Sequence, residues 1–267
     1  MEIEFFKYSA TGNDFVLIDQ RDSSITIQKD FVTKYCTRKS GIGADGVLVI
    51  SNSEEHDFKM NIYNSDGSLA EMCGNGARCC IDYIYKVDKL KDKTLVKFET
   101  LNSVYEGYLD REEVVLKMTE LYNVQAVDTT DLGGKNTLYL NTGVPHTVVE
   151  VSSVSDVNVK SVGGAIRFDK RFKGGTNVDF IEVISKSEQK VRMRVYERGV
   201  EDETLSCGTG VMAVALACQK FYSWEGQVKV QTRGGDVIAE LNSETKEMFY
   251  RGKVNLIYSG KIVERAS

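Results

Sequence analysis

Short apolar runs, many of them alternating with polar residues at a period of two, fill most of this chain and predict a protein built largely of strands. "FVLID", "GVLVIS", "FKMNIYN", "LVKFET", "VYEGYL" and "EVVLKM" occupy the first part. "LYLNT", "HTVVEV", "VDFIEVI", "VRMRVYE", "QVKVQT" and "VIAEL" occupy the second. They are rich in β-branched and aromatic residues and are separated by Gly, Asn, Asp or Ser, the composition that suits a pleated, half-buried surface. A helical period appears in three places. "KDFVTKYCTR" is short and amphipathic. Ala77, Cys80, Ile81 and Ile84 recur at i, i+3, i+4 and i+7, as do Val211, Val214, Ala215 and Cys218. Each of these stripes predicts a helix buried against a sheet.

The pattern is written twice. "EMCGNGARCC" (71–80) and "LSCGTGVMAVALAC" (205–218) each run from Cys-Gly-x-Gly straight into a helix, with Cys73 and Cys207 lying 134 residues apart (207 − 73). Upstream, "MNIYNSDGSLAEMCGNG" matches "MRVYERGVEDETLSCGTG"; Tyr63 precedes Cys73 by 10 residues and Tyr196 precedes Cys207 by 11. "TGNDFVLI" (11–18) echoes "GTNVDFIEV" (175–183). The order is shared, so a duplication into two similar α/β parts is expected, with equivalent loops meeting at a cleft.

Composition narrows the partners. The 267 residues allow one large domain or two small ones, and 42% hydrophobic residues supply a sizeable core. A net charge of −5 argues against nucleic acid or an anionic membrane as partner. No run approaches the length of a membrane span and no basic start precedes a long apolar stretch, so neither a membrane protein nor a signal peptide is expected. The six cysteines (36, 73, 79, 80, 207 and 218) read as reduced thiols of a cytoplasmic protein. Without a C-x-x-C, and with only His56 and His146, no metal site is expected.

The repeated motif carries chemistry. Backbone N–H groups at a helix start point outward and stabilise an anion. A cysteine there is expected to have its pKa lowered. Gly74, Gly76, Gly208 and Gly210 let backbone come close to a ligand, so the N–H groups of Gly74, Asn75, Gly208 and Thr209 can hold a carboxylate. Two thiols on opposite sides of the carbon next to that carboxylate suit one reaction. One thiolate removes the proton, the other thiol returns one to the opposite face, and no metal or organic cofactor is required.

"TGNDF", "GIGADG", "NSDGSLAEMCGNGARC", "GVPH", "GGTNVDF" and "YERGVEDETLSCGTG" follow one another in the order of a known family. Over nearly its whole length the chain closely resembles the diaminopimelate epimerases. The resemblance implies an α/β (α+β) fold of two pseudo-symmetric domains, each a mainly antiparallel curled sheet around a central helix. The domains would be 1–119, with a C-terminal strand 254–267 returning to it, and 120–253. It implies a homodimer in the cytoplasm that interconverts LL- and meso-diaminopimelate without a cofactor, serving lysine and peptidoglycan-precursor synthesis. Cys73 and Cys207 would be the acid/base pair. Gly74, Asn75, Gly208 and Thr209 would bind the reacting carboxylate, and Asn13, Asn64, Asn177, Glu197 and Arg198 the rest of the substrate. His146 would support the site. Two substrate-side positions depart from the family, which often has Gln at Gly46 and Asn at Val144. A racemase of another amino acid, a thiol redox protein and a non-catalytic relative are the alternatives.

Overall fold

Most of the runs read as strands form strands, and the order in which they pair is given twice over. The computed structural model describes residues 2–23, 25–87, 94–118, 123–125, 130–132, 134–242 and 244–263. Two units emerge, Met1–Leu116 with Lys253–Ser267, and Lys117–Gly252. The expected boundary between residues 119 and 120 lies outside the described residues.

The first unit contains β1 (Glu2–Ala10), β2 (Asn13–Asp19), helix α1 (Lys29–Cys36), β3 (Gly46–Ser51), β4 (Phe58–Asn64), β5 (Leu69–Ala70), helix α2 (Gly74–Lys86), β6 (Val96–Glu99), β7 (Val104–Asp110) and most of β8 (Glu113–Met118). Strand β1 pairs antiparallel with β2, β2 parallel with β3, and β3 antiparallel with β4. Strand β4 takes β5 antiparallel and β6 parallel, and β6 pairs antiparallel with β7.

The second unit runs through β9 (Asn123–Gln125), β10 (Thr137–Asn141), β11 (Pro145–Glu150), the short helix α3 (Gly164–Arg167), β12 (Asn177–Ser185), β13 (Lys190–Glu197), β14 (Asp202–Thr204), helix α4 (Gly208–Tyr222), β15 (Gly226–Thr232), β16 (Gly235–Leu241) and β17 (Met248–Lys253). Its pairings repeat the first set: β10 antiparallel with β11, β11 parallel with β12, β12 antiparallel with β13, β13 antiparallel with β14 and parallel with β15, β15 antiparallel with β16. Strands β1 to β7 therefore correspond in order to β10 to β16, and α2 to α4. The last strand, β18 (Asn255–Val263), pairs antiparallel with β1.

The helices are central in the strict sense. Helix α2 packs against β1, β2, β3, β4 and β7, and α4 against β10, β11, β12, β15 and β16. Every residue from Asn75 to Tyr85 and from Gly210 to Cys218 is buried. The apolar stripes expected on one face were thus too narrow, because each helix is covered on all sides by its curled, mainly antiparallel sheet. Ala213, Ala215 and Ala217, all at 0% exposure, leave room for strands around α4. Among the described residues, no helix is long and apolar enough to cross a membrane.

The register corrects the expected echo. Phe15 pairs with Gly46 in the β2–β3 ladder, and His146 with Asn177 in the β11–β12 ladder. "TGNDFVLI" therefore corresponds to "TGVPHTVV" (142–149), not to "GTNVDFIEV", whose counterpart is "ADGVLVISN" (44–52). In this register Asn13 corresponds to Val144 and Gly46 to Asn177. Each of the two departures from the family pattern thus sits where the other unit keeps an asparagine.

Candidate active site

Cys73 and Cys207 occupy the same place in their units. Each is the extended residue that caps a buried helix, with φ −142° and ψ 113° at Cys73 and φ −125° and ψ 117° at Cys207. As whole residues Cys73 and Cys207 are partly exposed, whereas Cys36, Cys79, Cys80 and Cys218 are buried. The last glycine of each motif is set by close approach. A Cβ on Gly76 would lie 2.8 Å from a Leu48 methyl, and one on Gly210 would lie 2.7 Å from Asp179 Oδ1.

In the first unit, Cys73 Sγ accepts from the Gly76 N–H at 3.5 Å, and the thiol points toward Asn13 Oδ1 at 3.9 Å. The Asn13 amide is oriented from behind, since its Nδ2 donates to Asp45 Oδ2 at 3.1 Å. Arg38 donates to Asp45 at 2.6 Å and also to Asp14, which takes the buried Lys7 ammonium at 2.6 Å. Burial and the neighbouring Asp14 charge raise the Asp45 carboxyl, while its hydrogen bonds to Arg38 and Lys7 hold Asp14 down against its own burial. Asn75 is buried, accepting from Thr11 Oγ1 at 3.0 Å. Asn64 stands at the end of β4 opposite Gly46, with its amide donating to Ser68 Oγ at 3.0 Å.

The second unit is built differently behind its thiol. Cys207 Sγ lies 3.3 Å from Thr209 Oγ1, Thr209 Oγ1 lies 3.0 Å from His146 Nε2, and His146 Nδ1 lies 2.7 Å from Asp179 Oδ2. His146 and Asp179 are both at 0% exposure. Thr142 Oγ1 donates to the Thr209 carbonyl at 2.9 Å. Asn177 donates to the Pro145 carbonyl and accepts the Arg198 N–H at 2.8 Å, so it pins the start of the loop that carries Arg198. Arg198 Nη1 reaches the Gly174 carbonyl at 3.3 Å. Glu197 accepts from Thr204 Oγ1 at 2.8 Å, and burial raises its carboxyl.

One expectation is reversed here. A helix start should lower a thiol pKa, yet Cys207 is pushed up, first by burial and then by the carboxylates of Glu197 and Asp179. Desolvation and two nearby negative charges outweigh the helix terminus, whose effect on an adjacent charge is about 0.3–1 kcal/mol.

Asp45, Asp179, Thr142 and Thr204 were absent from the sequence-based site. Their signal was the register itself, which the Thr-Gly pairs at 11–12 and 142–143 carried. The change at Gly46 has a structural cause: a Cβ there would collide with the Tyr63 carbonyl across the β3–β4 ladder. Gly46→Gln should therefore cost about 1–3 kcal/mol of stability through overpacking. Thermal melting checks this, and an unchanged midpoint would show that the ladder yields. Among the described residues, no three or more His, Cys, Asp and Glu side chains gather as a metal site requires.

The diaminopimelate epimerase family model matches residues 5–123 and 138–257. The chain is 40% identical over 279 aligned residues to a diaminopimelate epimerase of Aquifex aeolicus, with 98% of each chain covered. Among solved structures, it is similar to a phenazine biosynthesis protein of the PhzF family from Bacillus anthracis, at a TM-score of 0.75 and 14% identity over 99% of this chain and 100% of that one. It is also similar to a probable proline racemase from Agrobacterium radiobacter, at a TM-score of 0.67 and 12% identity over 98% and 93%. These two likenesses concern the fold.

Proposed function

The chain belongs to the diaminopimelate epimerase family, and from that premise we propose that it interconverts LL- and meso-diaminopimelate with Cys73 and Cys207 as its two acid/base groups. The observation that carries the proposal is the matched pair of cysteines, each capping a buried helix in a unit of the same topology. One thiolate takes the α-proton, so that a C–H bond breaks and an S–H bond forms. The other thiol then gives its proton to the opposite face; the exchanged pair can run the reverse reaction, and loss of one proton to solvent with uptake of another restores it for the next molecule of the same isomer. Negative charge builds up on the substrate carboxylate meanwhile. The outward N–H groups at Gly74 and Asn75, and at Gly208 and Thr209, are suited to stabilise it. Protein groups alone can move both protons, so the scheme calls for no cofactor.

The far end of the substrate is itself an amino acid. Arg198 offers a planar fork to its carboxylate. Glu197, desolvated and negatively charged when ionised, gains a partner in its ammonium. Asn13, Asn64 and Asn177 supply further polar contacts. The exposed run Leu256, Ile257 and Tyr258 on β18 supports a homodimer. Six free cysteines suit a reducing cytoplasm, where the product would feed lysine and peptidoglycan-precursor synthesis.

The test is epimerisation of LL-diaminopimelate in D₂O without added pyridoxal phosphate, beside a panel of other amino acids. One deuterium at one α-carbon of the meso product is expected. Turnover of a monocarboxylic amino acid in preference to diaminopimelate would instead select the racemase alternative.

A further inference from the structure

Each unit sets a buried threonine hydroxyl against the start of its central helix. The register that matches Phe15 with His146 also matches Thr11 with Thr142, and the Cys-Gly-x-Gly motifs match Asn75 with Thr209. Thr11 Oγ1 donates to Asn75 Oδ1 at 3.0 Å, and Thr142 Oγ1 donates to the Thr209 carbonyl at 2.9 Å. Both threonines are buried. Two places further on the units differ, Asn13 against Val144, yet the hydroxyl and the residue it holds match.

Thr11 has this hydroxyl at a place the backbone disfavours. With Gly12 it forms the turn in which Ala10 pairs with Asn13, and both turn residues have positive φ, 49° at Thr11 and 79° at Gly12. Such two-residue turns take Asn-Gly or Gly-Gly by preference, and a β-branched side chain is a poor fit at a left-handed position. In the second unit the left-handed residue is Gly143, at φ 101°. The hydroxyl contact is therefore what the two turns share, and strain of this kind persists where the surroundings require the residue. The surroundings of Thr11 also fix the direction of its bonds. A guanidinium can only donate, so Thr11 Oγ1 accepts from Nη2 of the buried Arg78 at 3.4 Å and gives its single hydrogen to Asn75.

We propose that Thr11 and Thr142 are positioning residues, each fixing the second residue of its helix so that the outward N–H groups there are aimed at the substrate carboxylate. N–H groups in the first turn of a helix make no bond within the helix, so contacts from outside set their aim. Charge that builds on the carboxylate is stabilised best by donors already in place. Thr11 acts through the Asn75 side chain, and Thr142 through the Thr209 main chain. The inference rests on the role proposed above for Gly74, Asn75, Gly208 and Thr209.

The test compares valine, which keeps the threonine shape and loses the hydroxyl, with serine, which keeps the hydroxyl and loses the branch. Thr11→Val and Thr142→Val should each lower kcat on diaminopimelate about tenfold or more, the scale of a small misplacement at a reacting centre, with KM moving less. Thr11→Ser and Thr142→Ser should stay near the parent, and Thr11→Ser should melt no lower, since the branch at the left-handed position is gone. A packing role alone predicts the opposite order. In an Asn75→Ala background Thr11→Val should add no further loss, because the two residues act as one. Where Thr11→Val does not fold, Thr11→Ala removes the same hydroxyl with less strain. Hydrogen exchange without substrate, read by mass spectrometry on the peptides that open α2 and α4, should quicken in the variants without the hydroxyl and not in the serine variants. Parent-like kcat or exchange in the folded valine or alanine variants, equal losses for valine and serine, or full additivity with Asn75→Ala overturns the proposal. A parent that fails to turn over diaminopimelate would bear only on the proposed function, and the exchange rates would still decide the positioning.

Discussion

Cys73→Ala and Cys207→Ala should each lose roughly 10²–10⁴-fold or more of epimerisation, the range contributed by a positioned acid or base. The loss is chemical and not structural. The Cys73 thiol accepts one N–H at the start of α2, from Gly76, and removing such a cap costs about 1 kcal/mol; the Cys207 side chain makes no cap bond. A sharper result follows from the geometry of inversion. With one thiol gone, the remaining thiolate still reaches the isomer whose α-proton lies on its own side, and it returns a proton to that same face. Each variant should therefore exchange deuterium into one isomer of diaminopimelate and not the other, without inversion, and the two variants should prefer opposite isomers. Proton NMR in D₂O follows both signals. Full epimerisation by either variant, or equal exchange of both isomers, would end the two-thiol mechanism.

Arg198→Ala should reduce kcat/KM on diaminopimelate by more than tenfold, since each lost charge-assisted hydrogen bond costs about 1.5–3 kcal/mol. The residue follows directly on β13, its backbone N–H is fixed by Asn177 and its Nη1 by the Gly174 carbonyl. A guanidinium has five N–H donors, so this tether leaves it able to grip a carboxylate at two points. Arg198→Lys keeps the charge and loses the fork, so it should recover little. The loss should be confined to substrates with a distal carboxylate. An amino acid without one should be turned over equally poorly by parent and variant. Undiminished diaminopimelate turnover by Arg198→Ala would remove the distal-carboxylate role.

The two thiols were legible because their signal is local: a cysteine, two glycines and a helix in consecutive residues. Most strands were legible from their side-chain alternation. Strand β1 was not read, and its ladder explains why. A register shift between Lys7 and Tyr8 puts both inside, Lys7 at 5% exposure and Tyr8 at 0%, so the period of two fails midway. A buried lysine reads as surface until Asp14 is seen beside it. Asp179 was hidden for a different reason. It lies 33 residues from His146 and meets it only through the parallel pairing of β11 with β12. The misplaced echo at 175–183 arose because "TGN" and "TGV" differ at the one position, Asn13 against Val144, that would have joined them. Only the ladder shows that they are the same place.

The pairing of β18 with β1 sets an order of assembly. Lys261 bonds Glu2 across 259 residues of sequence, and the ladder runs from Glu2 to Ser9 against Val263 to Asn255. Glu2–Ala10 is synthesised well before Asn255–Val263, so β1 waits for the residues between them before its outer partner exists. Residues 117–252, by contrast, are contiguous and emerge with their β10-to-β16 pairings complete. Contacts this distant are slow to close because the intervening loop must first lose its entropy. Strand β1 is thus paired on both edges only once β18 follows, and until then its outer edge has no partner strand, the kind of surface on which nascent chains aggregate.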